Sequence, residues 1–149
     1  MATDAYVVKL QTHRNEPLFG ELVEGTVILS PLGQIVADEW VNAAQSHRDI
    51  ELDRWIVMPS YIRGIVRLPA QGSDLANHAL QSPTASSKPR LLSSFVAGFK
   101  AAAAKRVNLY RNQPDLPVWQ RGYSETLILD EVVLESVRAW LREPSDQPK

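Results

Sequence analysis

Two side chains near the middle of the chain are spaced to do chemistry together. Tyr61 and Arg63 are separated by one apolar residue, Ile62. On a strand, residues two apart share a face, so a flat phenol stands beside a guanidinium. A guanidinium is a permanent cation with a fork of donors that suits phosphate oxygens. An aromatic ring stacks nucleobases. The pair can therefore hold a nucleotide without a metal. It can equally close on itself as a cation–π or salt-bridged contact that merely fills the strand face.

Other reactive groups are scattered. The histidines are His13, His47 and His78, in three separate segments with no ligand spacing, and they read as surface positions. Asp49, Glu51 and Asp53 alternate along a strand; that pattern suits Mg²⁺, or an exposed acidic edge. Tyr123 lies before the last helix and reads as a packed or exposed aromatic. The chain has no cysteine, which excludes disulfides, thiolate metal sites and cysteine nucleophiles. No glycine-rich phosphate loop or Ser-His-Asp pattern occurs.

Charge is unevenly placed. The net charge is −1, a poor balance for gripping a phosphate backbone. Residues 88–121, however, carry Lys88, Arg90, Lys100, Lys105, Arg106, Arg111 and Arg121 against Asp115 alone. Such a run is either a solvated helix face or an anion-facing surface.

The elements that must position these groups are legible from period and punctuation. Residues 6–12 and 50–58 read as strands, as do 61–68, with Pro59-Ser60 as the turn between the latter pair. Glu24-Gly25 between two apolar runs suggests a small hairpin over 22–29. Ser30-Pro31 starts a helix whose apolar stripe includes Ile35, Val36 and Trp40. Residues 91–110 form a second helix, rich in alanine. Residues 118–129 read as a strand bent at Gly122. Asp130 caps a last helix. Residues 69–90, rich in Pro, Ser, Ala, Gln and Gly, read as a long flexible loop, and 144–149 as a frayed tail. The turn joining 50–58 to 61–68 is too short for a parallel crossover. The fold class is thus α+β, an antiparallel sheet with packed helices on a ferredoxin-like plan.

The 149 residues suit one domain, 1–149. No stretch approaches the roughly 20 apolar residues of a membrane span. The N-terminus lacks a basic start followed by an apolar run, so a cytoplasmic protein with no membrane partner is expected.

Several segments, taken in order, carry a resemblance. They are Pro17-Leu18-Phe19-Gly20-Glu21-Leu22-Val23, residues 32–40, residues 51–59, residues 92–100, and Val118-Trp119-Gln120-Arg121-Gly122-Tyr123. With these the chain resembles the HUH tyrosine transposases that move single-stranded DNA, especially the REP-associated tyrosine transposase group. The resemblance runs over residues 6–141. It implies an HUH transposase domain that recognises single-stranded or hairpin DNA. In that family two histidines flanking one apolar residue bind a divalent metal, which polarises the scissile phosphate. A tyrosine on the last helix attacks it covalently, and a polar residue one turn later completes the metal site.

This sequence departs at each of those positions. Met58-Pro59-Ser60-Tyr61-Ile62-Arg63-Gly64 stands where the histidine motif belongs. Trp140 takes the place of the nucleophile and Pro144 that of the last ligand. Arg offers a metal no lone pair, neutral Tyr is a poor ligand, and Trp has no nucleophilic oxygen. The resemblance therefore implies a catalytically degenerate member with no catalytic residues, no metal and no cofactor. It also implies DNA contact through Arg63, Lys100, Lys105, Arg106, Arg111 and Arg121. A repurposed protein-interaction surface is the alternative, and active transposases of this type are often homodimers.

Overall fold

In a computed structural model, which describes residues 3–69 and 90–142, the chain runs β1 (Thr3–Gln11), β2 (Gly20–Val23), β3 (Thr26–Leu29), α1 (Pro31–Gln45), β4 (Glu51–Met58), β5 (Tyr61–Pro69), α2 (Arg90–Tyr110), β6 (Ser124–Ile128) and α3 (Glu131–Arg142). The interior of the 69–90 loop, the 144–149 tail, His78, Lys88 and Pro144 lie outside the described residues. Setting aside the β2–β3 hairpin, the order is βαββαβ followed by α3. The four-stranded sheet is β4-β5-β1-β6, and every pairing in it is antiparallel. This is the ferredoxin-like plan with an added terminal helix.

Local chemistry explains the element ends. Glu24 and Gly25 both take positive φ, 51° and 80°, the mirror-image turn whose twist matches a two-residue hairpin. Ser30 Oγ accepts from the Gly33 amide at 3.1 Å, capping α1. Asp130 Oδ1 accepts from the Val133 amide at 2.9 Å and does the same for α3. The strand expected over 118–121 is not formed. Only an isolated bridge, Thr12 with Trp119, occurs there. Lys100 Nζ donates to the carbonyls of Gln120 and Gly122, both at 2.9 Å. Gly122 turns with φ 75°, so the chain leaves the ladder and rejoins it at Ser124.

The two faces of the sheet have different covers. One packs against α1 and α2 in a large core that includes Val8, Leu10, Ile62, Val66, Trp40, Phe95 and Phe99. Trp40 meets Phe95 and Phe99 edge-on, at 5.2 and 5.1 Å between centroids, a favoured aromatic geometry. Gly64 makes this possible. A Cβ there would lie 2.6 Å from Trp55 Cβ and 3.2 Å from Trp40 Cζ2. The opposite face carries a smaller cluster of Ala5, Ile65, Leu134 and Leu141, with Val137 and Trp140 alongside, under α3. Among the described residues no helix is long and apolar enough to cross a membrane.

Candidate nucleic-acid interface

Strand register decides which groups meet beneath α3. β1 pairs with β5 so that Lys9 stands opposite Arg63 and Gln11 opposite Tyr61. Directly paired residues share a face. Arg63, Tyr61 and Lys9 therefore lie on the α3 side, with Ile62 and Val66 in the core behind them. α3 brings Trp140 to the same place. The Arg63 guanidinium carbon lies 4.1 Å from the centre of the Trp140 ring and 5.5 Å from that of Tyr61. Lys9 Nζ lies 4.6 Å from the centre of the Tyr61 ring. Three of the four positions singled out in the sequence thus converge, and the fourth, Pro144, falls beyond the described residues.

A carboxylate holds α3 in this position. The register of β4 against β5 slips between Leu52 and Trp55, a bulge of the kind that re-aims side chains. Asp53, within it, accepts from Arg138 through both oxygens, at 3.0 and 2.7 Å. It also accepts from Arg67 Nε at 3.0 Å and from the Arg54 amide at 2.8 Å. Its side chain is 12% exposed. A forked guanidinium–carboxylate pair is geometrically specific, so the rotation and height of α3 on the sheet are set 85 residues away in sequence. The hydrogen bonds from Arg138 hold the Asp53 carboxyl well below the usual carboxylate range.

Around Arg63 the balance is the reverse. Among the described residues no carboxylate forms an ion pair with Lys9 or Arg63. Burial lowers the pKa of Lys9, and the nearby charge of Arg63 lowers it further. Burial also lowers that of Arg63, partly offset by Tyr61. Arg63 remains a cation regardless. The Trp140 indole N–H is buried and has no acceptor among the described residues.

The other basic residues selected from the sequence lie on α2 and beyond it, away from α3. Arg106 pairs with Glu39 at 2.8 Å, Arg111 donates to Asn108 Oδ1 at 2.8 Å and to the Pro117 carbonyl at 3.2 Å, and Lys100 clamps the 120–122 turn. Lys105 and Arg121 are exposed and make no ion pair among the described residues. Arg121 is the nearer of the two to Arg63, because the Gln120 amide donates to the Gln11 carbonyl at 2.8 Å and Gln11 pairs with Tyr61. Tyr123 is packed, its hydroxyl 3.2 Å from Ser93 Oγ. The His47 ring nitrogen sits 3.0 Å from the Ala43 carbonyl.

The donor set beneath α3 does not suit a divalent cation. A phenol, a guanidinium, an ammonium and an indole provide neither carboxylate nor imidazole ligands. Two fixed positive charges would repel the metal. Nor do any three His, Cys, Asp or Glu among the described residues group as ligands elsewhere.

Sequence reasoning passed over Lys9 and the Asp53–Arg138 pair. Lys9 sits in an ordinary alternating strand, and only the β1–β5 register sets it against Arg63. Asp53 looked like one of three alternating acids, and the bulge that separates it from that pattern leaves no local mark.

No protein-family model matches the chain. An uncharacterized protein of Haemophilus influenzae Rd is 28% identical over 131 residues, which is 85% of this chain and 71% of that protein. Among solved structures, a REP-associated tyrosine transposase bound to a REP hairpin is similar with a TM-score of 0.55 and 11% identity, over 93% of this chain. This chain spans 64% of that transposase's length. A presumed transposase from Deinococcus radiodurans R1 gives a TM-score of 0.56 and 14% identity, over 97% of this chain and 92% of the other. At these identities the likeness is one of fold, and the fold is transposase-like.

Proposed function

We propose that this chain is a transposase-like protein, a single domain over 1–149, that binds single-stranded or hairpin DNA in the cytoplasm and does not cut it. The observation that carries the reading is the stack of Arg63 on Trp140 beside Tyr61. Cleavage by the phosphotyrosine route needs a Lewis acid and an attacking hydroxyl at these positions. A guanidinium packed on an indole supplies neither. Tyr61 is not read as a substitute nucleophile, because the groups placed against its ring are the cations of Lys9 and Arg63, neither of them a carboxylate or imidazole base.

The DNA-binding half of the proposal is supported by the fold, one example of which holds a REP hairpin, and by the placement of cations. Arg63 would meet the backbone on the α3 face. Arg121 would extend that contact at the neighbouring end of the sheet. Lys105 would reach it only if the strand continued over α2. Lys100 and Arg111 brace the 111–122 segment that presents Arg121, whereas Arg106 is engaged by Glu39 on α1. A labelled DNA hairpin titrated at low salt tests this. Binding is expected in EDTA and Mg²⁺ alike and weakens steeply with salt. A flat titration at low salt rejects it.

A second reading has its own observation. Leu127, Leu129, Val132 and Val133 are 41, 81, 76 and 44% exposed where edge strand β6 enters α3. Exposed apolar groups beside an unpaired strand edge suit a protein partner, a second copy included. Recovery from native extract of a complex that survives nuclease and salt would favour this reading over DNA binding.

A further inference from the structure

Lys9 and Arg63 stand directly opposite each other on adjacent strands. Both are only partly exposed. Like charges in that arrangement oppose each other, and most such pairs are relieved by an acid. Here the described residues supply none. The nearest groups are instead aromatic or donors: the Tyr61 ring under Lys9 at 4.6 Å, the Trp140 ring under Arg63 at 4.1 Å, and a Trp140 indole N–H with no acceptor. The Asp53 carboxylate on the same face is engaged by Arg138 and Arg67. Among the described residues the cluster thus holds two cations and an indole N–H without an acceptor, and no carboxylate pairs with either cation.

We propose that Lys9 and Arg63 form a metal-independent phosphate site, in which one phosphate group bridges the ammonium and the guanidinium. The ligand class follows from the donors. A tetrahedral oxyanion offers oxygens to both cations at once, whereas a neutral ligand would leave their repulsion in place. Burial and the nearby charge of Arg63 both lower the pKa of Lys9, and a bound anion offsets both by its attraction for the charged ammonium. The phosphate can come from a DNA backbone or from a free phosphate. The backbone source rests on the function proposed above; the site itself does not.

The test is an NMR titration of the whole chain with inorganic phosphate, in EDTA at constant ionic strength, following the Trp140 indole signal. That signal is assigned by its loss in Trp140→Phe. A saturable shift is expected in the wild type and is expected to be lost in Lys9→Gln, a mild change at a half-exposed strand position. Arg63→Gln is the second variant and should lose it as well. Phosphate also stabilises proteins generally by exclusion from their surface, so thermal midpoints in phosphate and chloride should be compared across the same variants. Exclusion acts on all of them equally, and only the site separates them. No saturable shift, or an equal shift in wild type and Lys9→Gln, overturns the proposal.

A DNA hairpin arm then distinguishes the two readings. If the hairpin binds wild type and the slope of log Kd against log salt falls by about 0.7 to 0.9 in Lys9→Gln, the site takes a backbone phosphate. If the hairpin binds both proteins alike, DNA binding stands and the backbone is ruled out as the source of this site's phosphate. If phosphate binds and the hairpin does not, the site stands and the DNA reading falls.

Discussion

The guanidinium carbon of Arg63 lies 4.1 Å from the centre of the Trp140 ring. This contact joins β5 to α3 at the one place where the transposase resemblance expects a metal ligand and a nucleophile to face each other. On the function proposed above, this stacked pair stands where a reactive one would. The contact is strengthened by its surroundings, because both groups are partly withdrawn from water and cation–π attraction grows as solvent is removed.

Arg63 and Trp140 should therefore be energetically coupled. Trp140→Leu and Arg63→Gln, alone and together, form a double-mutant cycle read by urea unfolding. A coupling of about 1 kcal/mol is expected. Additive effects within error would mean that the guanidinium and the indole merely sit side by side.

Asp53→Asn should loosen α3. The change keeps the shape but removes the charge that Arg138 and Arg67 share, at a cost of about 2 to 3 kcal/mol. Amide exchange over 131–142 should accelerate while α1 and α2 stay protected. Uniform acceleration across the chain would show that α3 is not a separable unit.

The same carboxylate sets a pH dependence. Its folded pKa is depressed, so its contribution is complete above the unfolded value near 4 and fades as pH falls through the folded one. The stability difference between wild type and Asp53→Asn should be flat from pH 7 to about 5 and shrink below about pH 4. A difference that instead shrinks on going from pH 5 to 7 would reverse the sign and contradict the pairing.

Gly64→Ala tests the other face of β5. The new methyl would press on Trp55 and Trp40, and overpacking of this kind costs about 1 to 3 kcal/mol. Calorimetry should show a lower Tm, with the α3 face unchanged in near-neighbour NMR shifts.

The cations of the 88–121 segment should separate by role. Arg121→Gln is expected to weaken hairpin binding and flatten its salt slope by about 0.7 to 0.9. Arg106→Gln should leave that slope intact and cost under about 1 kcal/mol, because its pair with Glu39 is partly solvated. Equal effects of the two on the slope would place the DNA path over α2.

What could be read ahead of the structure was local. The Ser30 and Asp130 caps, the Glu24-Gly25 turn and the core position of Trp40 each follow from a few neighbouring residues, and so does the shared face of Tyr61 and Arg63. Trp140 was found only through the resemblance, since a tryptophan on an amphipathic helix reads as packing. Lys9 and Asp53 were out of reach for a different reason. One depends on the register of strands more than 50 residues apart, the other on a bulge and a partner 85 residues away. The irregular stretch at 118–121 depends on Lys100, whose clamp on two carbonyls no strand propensity encodes.

The central claim is that nucleic acid meets this site without being cut. Intact-protein mass spectrometry tests it most directly, after incubation with single-stranded and hairpin DNA in Mg²⁺ or Mn²⁺. The predicted result is a single mass, that of the unmodified chain, with the DNA recovered at full length. A chain heavier by a DNA fragment, with that fragment mapped to a tyrosine, would contradict it.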